Sequence, residues 1–255
     1  MIDALYIANS ALRAQQQHLD VISNNVANLQ TPGFKRQRVS FSEIATAPLA
    51  GHGTTGPLDA LGAGTRIASV SPDLTDGELK PTLDPLDLAV RGAGLLEVLM
   101  PDGSTAYTRA GQLRIDRDGY LGVRSGQRLA AGIQVPPDAT ELRFEADGTV
   151  TAMLPGAGEP VVLGTLELVR FSGSDALEPH ADNLYRATAD AGDAVRGKPG
   201  EAGLGSVMQG YLEVSNVDMV QEMTDLVLAQ RVYQLNARVL QASDQILETI
   251  NNLRR

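Results

Sequence analysis

The chain has 255 residues, of which 43% are hydrophobic, and it carries a formal net charge of −10 with no cysteine. The length permits one or two domains, and the lack of cysteine excludes disulfides, thiolate metal sites and cysteine nucleophiles. The negative charge disfavours nucleic acid and acidic membrane surfaces as partners. No basic segment opens the chain and no apolar run reaches about 18 residues, so neither a cleaved secretory signal nor membrane insertion is expected.

Residues 1–30 are predicted to form one long helix, because the stretch lacks glycine and proline and its apolar residues recur every seven positions. The two rows are Leu5, Leu12, Leu19 and Val26, and Ala8, Ile22 and Leu29. Gln15 interrupts the second row. The other faces hold few charges and many amides, which favours packing on several sides. The alternative is an ordinary amphipathic helix docked on its own domain.

The predicted helix is followed by an extended segment and then by a region rich in small residues. Pro32 disfavours a helical conformation at Thr31 and Gly33 permits a turn, so the helix is expected to stop there. A basic cluster within the following extended segment is interpreted as a solvated or salt-bridged face; it consists of Lys35, Arg36 and Arg38. Residues 46–66 are rich in Gly, Ala, Pro and Thr and are predicted to be a linker or extended loop.

Residues 67–210 are predicted to be rich in β-strands. Glycine follows Asp76, Asp102, Asp118 and Asp147, and Asp-Gly pairs are typical of hairpin turns. Turns at roughly 8–12-residue spacing predict an antiparallel barrel-like or sandwich domain. Residues 189–205 are predicted to be loop. The candidate strands are Leu88–Arg91, Leu95–Met100, Ala106–Arg109, Gln112–Asp116, Tyr120–Val123, Glu141–Glu145, Val150–Met153 and Val161–Val169.

Residues 217–253 are predicted to form a second long helix. Ser215, with Asp218 three residues later, matches a capping box at its start. Its apolar residues form a broad stripe suited to more than one neighbouring helix. The rows are Met219, Leu226, Tyr233, Leu240 and Leu247, and Val232, Val239, Ile246 and Leu253. The two long helices could pair within one molecule or join neighbours in a tube, and periodicity does not choose between these arrangements.

The sequence offers no convincing catalytic, cofactor-binding or metal-binding residues. Its three histidines are scattered without metal-ligand spacing. Residues 116–119 lack the remaining acidic positions of a calcium loop, so a hairpin turn is expected there. Residues 92–94 lack the third glycine of a dinucleotide fingerprint and are interpreted as a kink between strands. Neither a nucleophile elbow nor a phosphate loop is present.

Five segments nevertheless resemble parts of one known family. Residues 24–28 (NNVAN) and 31–36 (TPGFKR) resemble the N-terminal signature of bacterial flagellar rod and hook proteins, and residues 209–218 (QGYLEVSNVD) resemble their C-terminal signature. Residues 87–94 and 106–111 are similar to motifs of the family's β domain. The resemblance assigns these family-motif residues: Asn24, Asn25, Ala27, Asn28, Pro32, Gly33, Phe34, Ser215, Asn216 and Val217.

The resemblance implies an α+β fold, with long N- and C-terminal helices in a coiled-coil-like domain and a central antiparallel all-β domain. The implied division is a terminal helical domain of residues 1–45 and 211–255 that lines a tube, the linker 46–66, and an outer β domain of residues 67–210. The implied assembly interface consists of Leu5, Leu12, Leu19, Ile22, Val26, Leu29, Met219, Leu226, Val232, Tyr233, Val239, Leu240, Ile246 and Leu247.

The resemblance also implies a function. Family members are structural, not enzymatic, and polymerise into the helical drive shaft of the flagellum. The implied partners are copies of the chain itself, other rod proteins, the hook and the surrounding basal-body rings. The implied location is the periplasmic part of the basal body, reached by flagellar export of the unfolded chain without a cleaved signal. Cofactors are not expected. The length excludes a hook subunit and leaves a distal and a proximal rod member, of which the distal one is more similar.

A different class of function remains open from the residues alone. The chain could be a secreted β-domain enzyme or a glycan-binding module whose helical ends oligomerise. Glycan binders usually expose aromatic side chains, and this chain has only four Phe, six Tyr and no Trp. Concentration-dependent formation of filaments would separate the two hypotheses.

Overall fold

The computed structural model describes residues 2–45, 62–156, 158–173 and 177–253. The fold is α+β, as predicted: helix α1 (Ile2–Ala27) opens the chain, strands follow, and helix α2 (Met219–Leu253) closes it. Two compact units are present. The helical unit comprises Met1–Ala27, Gln37–Val70 and Asp218–Arg255, and the β unit comprises Asn28–Arg36 and Ser71–Val217.

Helix α1 ends at Ala27, three residues earlier than predicted. Its most buried positions include Ala8, Gln15 and Ile22, which are spaced by seven residues. The other predicted row is half-buried; it consists of Leu5, Leu12, Leu19 and Val26. The buried face of α1 therefore follows the row that contains Gln15, and this polar residue is part of the packed seam.

Helix α2 begins at Met219, and Asp218 is its N-cap. Asp218 Oδ1 accepts hydrogen bonds from the backbone N–H groups of Val220 at 2.8 Å and Gln221 at 3.2 Å. The predicted capping box is therefore wrong, because Ser215 Oγ instead accepts from the N–H of Val217. An aspartate at the N-cap satisfies two orphan donors of the first turn, which fixes the start of the helix.

The helical unit also contains a two-stranded sheet of β1 (Gln37–Ala45) and β2 (Gly62–Pro72), whose last two residues belong to the β unit. Residues 62–66 were predicted to be a linker or extended loop, which is wrong because they belong to β2. The rest of that predicted segment, residues 46–61, lies outside the described residues. The start of β2 is rich in glycine and is held in the extended conformation by hydrogen bonds of Thr65. Its N–H donates to Ser10 Oγ at 3.3 Å and its hydroxyl donates to the carbonyl of Ser42 at 3.3 Å.

The β unit carries many short strands and two 3₁₀ turns, at Ala181–Asn183 and Ala189–Ala191. Its strands are β3 (Leu79–Pro81), β4 (Leu88–Arg91), β5 (Leu95–Leu99), β6 (Thr105–Thr108), β7 (Leu113–Ile115), β8 (Leu121–Val123), β9 (Arg128–Leu129), β10 (Glu141–Phe144), β11 (Thr149–Met153), β12 (Val161–Thr165), β13 (Leu168–Arg170), β14 (Leu177–His180), β15 (Leu184–Ala187), β16 (Val195–Gly197), β17 (Ser206–Gln209) and β18 (Tyr211–Glu213).

The strands of the β unit pair antiparallel, as predicted. Among the described residues, the largest sheet has nine strands in the order β14-β15-β6-β5-β9-β8-β7, with β13 paired to β5 and β16. Strands β10, β11 and β12 form a three-stranded sheet, and β4 pairs with β17 and β3 with β18. In the register of β5 against β6, Leu96 faces Thr108.

Two apolar clusters form the core of the β unit. The larger one includes Leu96 and the smaller one includes its neighbour Leu95, because successive side chains of a strand point to opposite faces. In the smaller cluster, the rings of Tyr107 and Phe171 meet edge to face at 4.8 Å. The central strand β5 is therefore buried on both faces.

Most of the predicted β-strands are confirmed, with three corrections. Asp-Gly turns at Asp102, Asp118 and Asp147 close the hairpins β5–β6, β7–β8 and β10–β11. Asp76, in contrast, lies in a connection whose flanking strands β2 and β3 do not pair. The predicted strand Val161–Val169 is two strands, β12 and β13, and the predicted loop 189–205 contains β16.

The compact units differ from the predicted division of the chain. Residues 28–36 and 211–217 group with the β unit, although both were assigned to the terminal helical domain, and residues 67–70 group with the helical unit, although they were assigned to the β domain. A buried set of charges within the β unit, described below, holds these two segments together.

Candidate functional site

Helix α2 presents a continuous row of exposed apolar side chains. We call Leu228, Val232, Leu235, Val239 and Ile246 the outer row. Leu228 and Leu235 are 60% and 59% exposed, and Val239 is 52% exposed. The row follows alternating steps of four and three residues and then one step of seven, which is the spacing of a coiled-coil seam. This surface is suited to packing against another helix.

The buried positions of α2 within the helical unit carry smaller or more polar side chains than the outer row does. Glu222 and Ala229 are buried there, seven residues apart. The side-chain amide of Gln15 on α1 donates to the backbone carbonyl of Ala229 at 3.1 Å. The fully buried positions of α2 named here are therefore polar or small, Leu226 and Leu240 are half-buried, and the aliphatic side chains of the outer row are exposed.

A second exposed set lies on the other side of the buried row, at the start of α2. It consists of Met219, Val220, Met223 and Val227, and we call it the methionine row. Val220 is 75% exposed. With 3.6 residues per turn, Met219, Met223 and Val227 lie along one side of the helix, one turn apart. Helix α2 thus has two separate apolar surfaces.

The predicted interface residues divide by burial. Met219, Val232, Tyr233, Val239 and Ile246 are exposed, and the side chain of Leu247 lies outside the described residues. Ile22 is buried. The remaining residues are half-buried: Leu5, Leu12, Leu19, Val26, Leu29, Leu226 and Leu240. Leu228 and Leu235 were not predicted as interface residues. They lie seven residues apart beside Val232 and Val239, and this spacing could have identified them.

Asn25 joins three elements of the helical unit. Its side chain is buried, donates to the carbonyl of Gln37 at 3.0 Å and to Glu222 Oε2 at 3.1 Å, and accepts from the N–H of Gln37 at 2.9 Å. The amide thus pairs with the backbone where β1 begins and with a carboxylate on α2. This explains why the motif places an asparagine here, since neither an acid nor an alkyl group offers both donor and acceptor.

His18 lies on α1 with its ring edge to face with Phe41 of β1, at 5.4 Å between ring centres. Burial lowers the pKa of His18 from its ordinary value, against the opposing effect of the carboxylates of Asp225 and Glu222. The neutral imidazole is therefore the form that the folded helical unit favours.

The β unit contains a charge network that we call the end clasp. It consists of three buried residues, Lys35, Arg109 and Glu213, and the exposed Asp76. The ammonium of Lys35 is 0% exposed and lies 2.5 Å from Glu213 Oε1. Arg109 Nε lies 3.3 Å from Glu213 Oε2, and Arg109 Nη2 lies 2.7 Å from Asp76 Oδ1. Two cations and the Glu213 carboxylate thus meet in the interior of the unit, and Arg109 extends the network to Asp76, whose side chain is 49% exposed.

Backbone groups complete the end clasp. Lys35 Nζ donates to the carbonyl of Thr75 at 2.6 Å, and Arg109 donates to the carbonyls of Gly92 and Gly94, each at 2.8 Å. Burial lowers the pKa of Lys35, and the nearby Arg109 cation acts in the same direction, whereas the Glu213 carboxylate raises it. The basic cluster was interpreted as solvated or salt-bridged, and Lys35 is salt-bridged and buried.

Two motif residues beside the end clasp, Gly33 and Asn216, hold two backbone segments against each other. Gly33 has a φ of +69°, and a Cβ added there would lie 2.5 Å from the carbonyl oxygen of Arg109. Its N–H donates to the carbonyl of Glu213 at 2.7 Å. Asn216 accepts from the N–H of Arg36 at 2.7 Å and donates to the carbonyl of Asp73 at 2.8 Å. These contacts fix residues 33–36 against residues 213–216.

The other motif residues have local roles. Thr31 donates to Asn28 Oδ1 at 3.1 Å, and the carbonyl of Pro32 accepts from Asn183 at 3.3 Å. Phe34, Ser215 and Val217 are buried, and Asn24 and Ala27 are exposed. Lys35, Arg109 and Glu213 each lie within a family motif, but their contact was not predicted from the sequence.

Two other kinds of site are absent from the part of the chain that the structure describes. Neither helix has a stretch there that is long and apolar enough to cross a membrane. Across the described ranges, no group of three or more His, Asp or Glu side chains is placed to hold a metal ion.

Three family models match successive parts of the chain. The flagella basal body rod protein model matches residues 5–35, the flagellar hook protein FlgE/F/G D1 domain matches residues 89–152, and the flagellar basal body rod FlgEFG protein C-terminal model matches residues 208–253. The three matches contain α1, the central strands and α2, together with the three main residues of the end clasp.

Curated relatives match the chain from end to end. The flagellar basal-body rod protein FlgG of Caulobacter vibrioides is 38% identical over 261 residues, covering 99% of this chain and 100% of the relative. FlgG of Buchnera aphidicola subsp. Acyrthosiphon pisum is 35% identical over 260 residues, with the same coverage. The flagellar basal-body rod protein FlgF of Salmonella typhimurium is 32% identical over 253 residues, covering 96% of this chain and 95% of the relative.

Proposed function

The chain belongs to the family of flagellar basal-body rod proteins, and on that premise we propose that its copies polymerise through their terminal helices into a helical tubular shaft that transmits torque to the hook. The observation that carries the proposal is the outer row of α2. A subunit of a shaft needs an exposed apolar surface that neighbouring copies can cover. A protein whose two helices paired only with each other would not need one.

The energetics favour covering the outer row. Each fully buried leucine, isoleucine or valine side chain contributes roughly 1.5–3 kcal/mol relative to an exposed one. The outer row has five such side chains, so its burial against other helices outweighs the cost of ordering them. The coiled-coil spacing of the row supports helices as the covering elements.

The polar face of α2 supports the same conclusion. The contact between Gln15 and Ala229 uses one side-chain amide and one small residue, whereas large apolar side chains line the two exposed rows. In the proposed shaft, α1 and α2 form a coiled-coil-like inner domain, and the outer and methionine rows contact neighbouring copies. Close-packed apolar seams resist shear because protein interiors are nearly incompressible, which suits a structure that transmits torque.

The remaining parts of the assignment follow from the family. The proposed partners are copies of this chain, other rod proteins, the hook and the surrounding basal-body rings. The proposed location is the periplasmic segment of the basal body, with export by the flagellar apparatus and without a cleaved signal. The β unit would form the outer layer. The full-length similarity to FlgG relatives makes the distal rod position our assignment, with the proximal position second.

Negative-stain microscopy of purified protein over a concentration series tests this function. We expect filaments to appear above a threshold concentration. Leu235→Asp should abolish them, because a charge in the seam cannot be desolvated without a partner. The control is Gln234→Asp, which places the same charge at the neighbouring exposed position of α2. Normal filaments from Leu235→Asp, or equal loss from both variants, would refute the role of the outer row.

A further inference from the structure

Leu83, in the connection between β3 and β4, combines strain with exposure. Its φ is +63°, a left-handed conformation that is unfavourable for residues with a Cβ. Its side chain is 94% exposed. The chain therefore holds a large apolar side chain in a costly conformation without burying it. Strain of this kind is concentrated at functional positions.

The segment around Leu83 is held in place by hydrogen bonds. The N–H of Thr82 donates to the carbonyl of Gly210 at 2.8 Å, and Gln209 Nε2 donates to the carbonyl of Pro85 at 2.8 Å. The carboxylate of Asp84 accepts from the N–H of Leu86 at 2.9 Å. Leu83 thus projects from a braced turn, so little ordering entropy is lost when it is buried by a partner.

The same β unit contains a cleft that could receive an apolar side chain. The cleft has a volume of about 650 Å³, and its apolar lining includes Ile115, Val135, Pro136, Pro137 and Ala139. Asp116 and Asp118 also line it, and both carboxylates pair with Arg128. Ile115 is 42% exposed there. Arg117 lies on its rim, and the described residues provide no ion pair for this guanidinium. Asp84, next to Leu83, supplies a complementary charge.

We propose that Leu83 of one copy inserts into this cleft of a second copy, with Asp84 placed beside Arg117. The inference rests on the proposed rod function and names a contact made by the β unit. The inserted residue and the cleft are different surfaces of the same chain, so the contact is head-to-tail. Contacts of this type generate open helical polymers when the rotation does not close.

Leu83→Gly tests the inserted residue. Glycine adopts positive φ without steric cost, so the thermal midpoint of the isolated protein should not fall. The threshold concentration for filaments should rise about tenfold or more, because one buried leucine side chain is lost from the contact. The control is Val162→Ala, which shortens another exposed apolar side chain of the β unit and should leave the threshold unchanged.

Disulfide formation tests the cleft, since the chain has no cysteine of its own. Mixed filaments of Leu83→Cys and Ala139→Cys should yield disulfide-linked dimers on oxidation. Mixed filaments of Val162→Cys and Ala139→Cys should not. Filaments that form from the mixture of Leu83→Cys and Ala139→Cys but yield no cross-link would overturn this contact alone, as would Leu83→Gly filaments at the wild-type threshold. Failure of the wild type to form filaments would overturn the proposed function and this contact together.

Discussion

The ammonium of Lys35 lies 2.5 Å from Glu213 Oε1 and connects two residues that are 178 positions apart in the chain. Both side chains are buried, and Glu213 also faces Arg109. The pair joins the segment that follows α1 to the segment that precedes α2. Residues 28–36 and 211–217 belong to the β unit, and this buried ion pair links the two segments there.

Lys35→Met should destabilise the β unit by roughly 3–5 kcal/mol, because removal of one partner leaves the buried carboxylate of Glu213 with incomplete compensation. Denaturant unfolding followed by β-sheet circular dichroism measures this loss. Lys80→Met is the matched control: Lys80 is exposed, and its replacement should change the free energy of unfolding by no more than about 0.5 kcal/mol. Similar values for the two variants would show that the clasp does not stabilise the unit.

Gly33→Ala should cost more stability than Gly103→Ala, although both glycines have positive φ. Alanine at Gly103 meets open space and should cost about 1 kcal/mol from backbone strain alone. Alanine at Gly33 also meets the carbonyl of Arg109, which should add roughly 1–3 kcal/mol of overpacking. The difference in the free energy of unfolding between Gly33→Ala and Gly103→Ala measures the cost of the close contact with Arg109. Equal losses in the two variants would show that this contact adds no cost.

The helical unit should become less stable as the pH falls below about 6.5, the ordinary pKa of histidine. Burial lowers the pKa of His18 in the folded chain, so between the two pKa values the unfolded chain binds more protons. This stabilisation is complete above the unfolded pKa and is lost as the pH falls toward the folded one. Unfolding followed by helical circular dichroism at several pH values measures the slope.

His18→Gln should flatten that slope, whereas replacement of the exposed His180 in the β unit should leave it unchanged. An identical slope in wild type and His18→Gln would assign the pH dependence to other groups.

Local patterns predicted much of the fold. The seven-residue rows of α1 and α2 and the Asp-Gly turns at Asp102, Asp118 and Asp147 each rest on residues close in sequence, and the structure has the corresponding helices and hairpins. Strand β2 was missed because its glycine-rich start is fixed by Ser10 and Ser42, which lie outside the strand.

The candidate site was harder to predict for the same reason. Periodicity marks which residues of a helix share a face, but it does not show which face is covered. Gln15 was read as an interruption, yet its amide bonds to Ala229, more than two hundred residues away. Lys35 and Glu213 carry no local signal of their pairing. The exposure of Leu228 and Leu235 likewise depends on which face of α2 packs on α1.

The most direct test of the account is the accessibility of the outer row before and after assembly. A single cysteine at Leu235 in this cysteine-free chain reports it through the rate of thiol labelling, with Ser125→Cys, at an exposed turn of the β unit, as the reference. We predict rapid labelling of both thiols in the monomer and strong protection of the residue-235 thiol alone in filaments. Equal labelling of that thiol in monomers and filaments would contradict the claim that neighbouring copies cover α2.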